Sequence, residues 1–247
     1  MKLKIWIASC LLFVIGIPVY AQETAASVVL SIGKNYAQQP EQEARLLKRK
    51  SAVFSNDQIS TGPKGQLQLR FTDGSRLSLR PETLFHIENF QFDGDKPRDG
   101  SSVYRLLKGG LRTITGTISS AQPDNYRVNT PIATIGVRGT DYELFFCDQN
   151  CADSGQEHYG LFGQVLEGII FLDIAGKKTD IQAGSHFYLD GNVNLRLSQS
   201  SYRNRSQSGF LPNIEQQSIP AIGIEQGVDA NQRDNFPGAN GQYPRSP

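Results

Sequence analysis

The chain has 247 residues, 38% of them hydrophobic and 20% charged, which is enough apolar material for one core of ordinary domain size. Its 25 Lys and Arg against 24 Asp and Glu give a formal net charge of +1. No field of either sign therefore points to nucleic acid or an anionic membrane surface as a partner. Helix-period stretches are scarce, and Gly, Ser and Thr punctuate the chain often, which predicts an all-β class.

Lys2 and Lys4 make a basic start, residues 5–19 are apolar, and Val19-Tyr20-Ala21 presents modest side chains where a signal peptidase reads. The run is short for a membrane span, so cleavage after Ala21 is expected. The rival reading is a lipoprotein box ending at Cys10. It follows too few apolar residues, and the hydrophobic run continues past it. Removing residues 1–21 takes two lysines and no acids, leaving a net charge of −1.

Residues 27–32 form a short apolar strand. The polar stretch 34–50 carries Glu41, Arg45 and Lys48 at helical spacing, but a solvated loop is the expectation. Residues 57–62 read as a turn. Leu67, Leu69 and Phe71 then alternate with polar residues, Asp73-Gly74 turns the chain, and Leu77 and Leu79 alternate again. Period two on both sides of Asp-Gly predicts a β-turn-β unit with one buried face. Phe85, Ile87 and Phe90 suggest a third strand, and residues 93–102 a polar loop. Residues 103–107 form a strand closed by Gly109-Gly110, and residues 111–118 another, interrupted by Gly116.

Residues 126–146 are dense in Val, Ile, Thr, Tyr and Phe and contain three strand-like runs. Thr130-Pro131 separates the first two, because Pro131 lacks an amide donor and holds Thr130 out of the helical region. Gly136 and Gly139 bracket Arg138 just before Thr140, the mark of a bulge or a close backbone approach. For Arg138, tying down carbonyls or a carboxylate is preferred over a ligand-binding role, since no second basic residue stands nearby.

Cys147 and Cys151 remain in the mature chain, and an export signal implies an oxidising compartment. Fully extended, their Cα atoms would lie roughly 13 Å apart. A disulfide tolerates at most about 7 Å, so the chain must turn at the turn-prone Asp148-Gln149-Asn150. A disulfide is preferred over metal binding with Asp148, Asp153 and His158, whose spacing fits no common zinc pattern. Residues 165–174 are a nearly continuous apolar strand, residues 175–178 and 183–184 are turns, and residues 186–189 are the last clear strand. From about Ser198 the composition turns to Ser, Gln, Asn, Gly and Pro, and a mostly disordered tail is expected. Ile214, Ile219, Ile222 and Ile224 are its apolar exceptions, fit to dock as a short strand or to meet a partner.

The chain holds no G-x-S-x-G, no H-E-x-x-H and no phosphate loop. Ser31-Ile32-Gly33-Lys34 matches S-x-x-K but ends a strand where that motif should open a helix. His86, His158 and His186 are isolated, and Asp93 with Asp95 suits a turn as well as an acid–base pair. No catalytic residue, metal site or cofactor is predicted.

Two blocks carry a family likeness. One runs from Thr61-Gly62 through Thr72-Asp73-Gly74-Ser75 to Leu77-Ser78-Leu79-Arg80-Pro81 and Thr83. The other is Leu106-Leu107-Lys108-Gly109-Gly110-Leu111-Arg112-Thr113-Ile114-Thr115-Gly116, followed by Thr130-Pro131-Ile132-Ala133-Thr134-Ile135-Gly136-Val137-Arg138-Gly139-Thr140. Together they resemble the FecR domain of Gram-negative envelope proteins. The resemblance implies a solenoid-like or roll-like all-β domain in the periplasm. The best-known members regulate an iron-uptake sigma factor through a cytoplasmic N-terminal segment and one membrane span. This sequence departs from that plan, with an expected cleavable leader in place of both parts.

The expected organisation is a signal peptide at 1–21, a FecR-type domain at 22–196 and a tail at 197–247. The expected function is a non-enzymatic periplasmic interaction or signalling module whose partner is an envelope protein. The alternative is a module that binds peptidoglycan or another glycan, with an enzyme as the third reading. An aromatic strip on one sheet face would favour the glycan, and Tyr36, Tyr104, Tyr159 and Tyr188 are its candidates.

Overall fold

Alternation of apolar and polar residues along the chain is realised as strands whose apolar sides meet in one core. The computed structural model describes residues 23–152 and 159–199. The expected leader and its cleavage site, Cys10, Asp153, His158 and residues 200–247 with their isoleucines lie outside the described residues. The elements are β1 (Thr24–Ile32), β2 (Asn35–Gln38), β3 (Arg45–Leu46), β4 (Ala52–Phe54), β5 (Gln58–Thr61), β6 (Gln66–Phe71), β7 (Arg76–Leu79) and β8 (Leu84–Gln91). They continue with β9 (Ser101–Ile114), α1 (Thr117–Ala121), β10 (Tyr126–Asn129), β11 (Thr134–Cys147), α2 (Gln149–Ala152), β12 (Gly160–Ile174), β13 (Lys177–Gln182), β14 (Ser185–Asp190) and β15 (Leu195–Gln199).

All 15 strands of the described residues join one sheet that does not close. Three long strands each work in two halves. Residues 101–108 of β9 pair with β8, and residues 102–105 also pair with β10. Residues 109–114 of β9 pair instead with β11, and residues 111–114 with β7. The exchange happens at Gly109-Gly110, where Gly109 has φ +81°. In β11 and β12 the break falls between Arg138 and Asp141 and at Gly168, where both registers shift. The first half of β11 and the second half of β12 continue to β13. The other halves continue to β14 and β15. The sheet thus folds over itself as a roll, with β3-β2-β5-β8 leading one layer and β4-β1-β6-β7 the other.

One apolar cluster fills the space between the layers and takes Phe85, Ile87, Val128, Ile135 and Ile170 from one side. Leu67, Leu69, Leu79, Leu144 and Leu161 come from the other. Phe71 bridges to Phe90 and Tyr104 at ring-centroid distances of 5.0 and 5.4 Å. The Tyr126 and Tyr142 hydroxyls bond across the layers at 2.9 Å. Burial pushes the Tyr126 hydroxyl up to about 12, and Tyr104 and Tyr142 are also raised by burial.

The all-β, roll-like class expected from the sequence is the observed one, and the expected β-turn-β unit at Asp73-Gly74 is present, its register setting Leu69 opposite Leu77. Several elements differ. The stretch 34–50, expected to be a loop, holds β2 and β3, the turn at 57–62 holds β5, and β4 between them was not anticipated. Their burial explains why: Asn35, Ala37, Val53, Asp57 and Ile59 are all fully buried. Arg45 makes no helical pair; its guanidinium binds the buried Asp57 carboxylate, with one bond at 2.9 Å. The 101–114 and 134–147 segments are continuous strands, because their glycines bend the chain without ending it. Residues 117–121 are a short helix where a strand end was expected. β13 and β15 were not anticipated, and β15 runs through Gln199.

Candidate functional site

The glycine- and threonine-rich blocks sit at the bends of the roll. Asp73 Oδ1 accepts the Ser75 amide at 3.0 Å and the Ser75 hydroxyl at 2.6 Å, which closes the Asp73-Gly74 turn. Thr117 donates its amide to the Asp73 carbonyl at 3.0 Å, and a side chain at Gly116 would strike that turn. Gly110 donates its amide to the Thr83 hydroxyl at 3.0 Å and accepts that hydroxyl at its carbonyl at 3.1 Å. Thr130 accepts the Ala133 amide on its hydroxyl at 3.1 Å and donates its own amide to the Ala133 carbonyl at 2.8 Å, closing the corner at Pro131. Thr140 donates its amide to Thr115 Oγ1 at 2.9 Å. Gly139 has φ +58° and Gly168 φ +77°, left-handed backbone that suits glycine, and a Cβ at 168 would meet the Gly139 carbonyl. Arg138 is exposed, and its side chain makes no hydrogen bond or ion pair among the described residues.

On the outer side of the second layer, register aligns Gln68, Ser78, Arg112, Glu143, Gln164, His186 and Ser198 in a polar row across seven strands. Arg112 grips Asp141 with two parallel bonds, Nε to Oδ1 at 3.0 Å and Nη2 to Oδ2 at 2.8 Å. Glu143 lies 3.9 Å from both Arg80 and Arg112. Burial pushes the Glu143 carboxyl up, and the two guanidiniums pull it back. The bond to Asp141 holds the Arg112 guanidinium above its ordinary value. None of this quartet stood out in the sequence as a cluster; only the register unites Arg112 with Asp141 and Glu143.

Beside this row Phe145, Phe162 and Tyr188 are neighbours on β11, β12 and β14, with Phe162 stacked on Tyr188 at 4.4 Å. The disulfide Cys147–Cys151 packs against them, its Cα atoms 5.5 Å apart across the turn of α2. The anticipated bridge is therefore present, and Asp148 Oδ1 accepts the Cys151 amide at 3.1 Å. Phe162 and Tyr188 are buried. Tyr104 is in the main core, Tyr159 packs on Phe146 at 5.7 Å, and Tyr36 is half-buried on β2. The four tyrosines form no common strip.

The outer side of the first layer carries an open groove of about 460 Å³, within the size range of small-ligand sites. It lies beside the corner at Thr130, and Arg127, Thr134, Phe171, Asp173 and Lys178 contribute to its lining. The Phe171 ring lies on Gly136, whose missing side chain leaves room for it, and Lys178 Nζ stands 5.1 Å from the ring centroid.

Metal chemistry has no assembled site among the described residues. No group of three or more His, Cys, Asp or Glu could hold a metal there. His86 and His186 lie on β8 and β14, which do not pair. Ser31 donates its hydroxyl to the Leu47 carbonyl at 2.8 Å from a strand, and Asp93 caps the Asp95 amide at 3.0 Å. No described helix is long and apolar enough to cross a membrane.

Residues 57–158 match the model of the family described as FecR protein, in agreement with the resemblance read from the two blocks. No curated protein matches significantly. Two crystal structures of a proposed anti-sigma factor from Parabacteroides distasonis are similar to this chain. One has 15% identity and a TM-score of 0.46, the other 14% and 0.45. Each likeness covers 58% of this chain and 59% of the other, so the chain spans under two thirds of those proteins.

Proposed function

We propose that this FecR-domain protein is a non-enzymatic interaction or signalling module of the cell envelope, carried to the periplasm by a leader at residues 1–21, which works by binding a protein partner. The observation that supports this most directly is the FecR match over residues 57–158 on a sheet that ends in open edges. Open edges offer main-chain donors and acceptors to a partner's extended segment. Near-zero net charge leaves recognition to shape and strand pairing more than to steering. The experiment is in-cell crosslinking of the full-length protein, followed by mass spectrometry of the envelope fraction. A reproducible envelope protein partner is expected, together with a mature N-terminus at Gln22. Absence of any protein partner, or an N-terminus left at Met1, counts against the reading.

The groove lined by Arg127, Asp173 and Lys178 favours a second reading, an envelope glycan met by its charged and hydroxyl groups. Saturable binding of purified protein to peptidoglycan, lost in Arg127→Ala with Lys178→Ala and accompanied by no protein crosslink, would select that reading.

A further inference from the structure

The edges of the open sheet are not alike. Among the described residues β3 and β4 each have a single neighbour but are two and three residues long. β13 pairs only with β12 among the described residues and carries Lys177, Lys178 and Asp180 in six residues, the kind of charge that blunts an edge. β15 pairs only with β14 among the described residues, runs five residues, and carries Arg196 as its single charge. Register places Leu197 opposite Phe187, which is fully buried in the main core. Leu197 therefore points to the core side of the layer, yet it is 54% exposed. Leu195, on the same side, packs partly against the core. The core continues under β15 and stops with an aliphatic side chain uncovered. On the opposite side Arg196 is exposed and makes no ion pair among the described residues.

We infer that the free edge of β15 accepts an extended segment of a partner protein with aliphatic residues at alternate positions and an acidic residue between them. This rests on the protein-binding reading above and names its surface. Such a strand would continue the β14–β15 ladder. Its aliphatic side chains would cover Leu197 and extend the core, and its carboxylate would stand across from Arg196, where opposite charges on neighbouring strands attract. A basic residue at that place would meet Arg196 as a like charge.

The test uses the full-length protein and two fluorescein-labelled synthetic peptides, one alternating valine with glutamate and one alternating valine with lysine. Fluorescence anisotropy should show saturable binding of the glutamate peptide, about fivefold tighter than the lysine peptide. Arg196→Glu should reverse that order, a result no folding defect would produce. Leu197→Lys should weaken both by about tenfold. Absence of binding to either peptide, or an order unchanged by Arg196→Glu, overturns the inference. So does a dimer in light scattering that Leu197→Lys dissolves, since the edge would then belong to a second copy. An envelope partner that crosslinks equally to wild type and Leu197→Lys, while no peptide binds, would remove this surface and leave the protein-binding reading standing. Peptide binding with no partner in cells would do the reverse.

Discussion

Replacing Gly136 by alanine would put a methyl group inside the volume of the Phe171 ring. The obstacle is an aromatic ring anchored on β12, not the end of a flexible chain, so the ring must swing outward. A phenylalanine buries about 150–250 Å² when fully enclosed. Phe171 is half-buried, so losing its seat exposes on the order of 80–100 Å², or about 2–2.5 kcal/mol at 25 cal/mol/Å². Loss of the Lys178 contact adds about 0.5 kcal/mol for an exposed cation–π pair. Gly136→Ala should thus cost about 2–3 kcal/mol, and Phe171→Ala a similar amount. The double variant should cost little more than Phe171→Ala alone, because the new methyl enters vacated space. The cycle would then show a coupling of about 2 kcal/mol, far outside ordinary additivity. Urea unfolding of the four proteins with a common m-value measures it. Additivity within about 0.5 kcal/mol would refute the stated packing of Phe171 on Gly136.

Leu69→Ala removes a fully buried side chain from the centre of the core and should cost about 2–5 kcal/mol by the same assay. Arg112→Ala strands Asp141 and leaves Glu143 with Arg80 alone, and should cost about 2–4 kcal/mol, while Glu143→Gln should cost under about 1 kcal/mol because burial already disfavours that charge. Peptide mapping without reductant should recover Cys147 linked to Cys151, and reduction should lower stability by about 2 kcal/mol for so short a loop. Tyr126 holds its proton more tightly folded than unfolded, so its contribution is intact below pH 10 and is lost as pH rises through about 12. Tyr126→Phe should flatten the fall in stability over that window, as measured by urea midpoints.

The β6–β7 hairpin was legible because the apolar residues of each strand lie on one side, in the core, and Asp73-Gly74 sits between two unbroken alternations. The bends were legible as glycine pairs, but not as places where a continuous strand changes partners. That depends on which strands arrive on each side, which local sequence does not encode. β2 to β5 were hidden for a related reason. They are short, their partners are remote, and the buried Asp57 with its Arg45 reads as surface charge until the two are placed together. β15 was hidden because Leu195-Arg196-Leu197 sits at the head of a polar, low-complexity composition, and Leu197 stays exposed after folding. The groove escaped notice because Arg127, Phe171 and Lys178 come from three strands, β10, β12 and β13, whose arrival beside the corner at Thr130 local sequence does not encode.

The bends also decide which surfaces a partner can meet. Because β12 changes partners near Gly168, its two halves lead to β13 in one layer and to β14 and β15 in the other. A straight β12 would present both neighbours along one edge, and the charges of β13 would guard it throughout. The bend separates a charged edge from one that carries Leu197, so pairing is discouraged at the first and left available at the second. It also brings the polar row to β15, where Ser198 follows His186, so a strand added there would continue the row that contains Arg112 and Glu143. Loss of the Arg112 pairs should therefore register in stability. Loss of Leu197 or reversal at Arg196 should register in binding, with the fold intact.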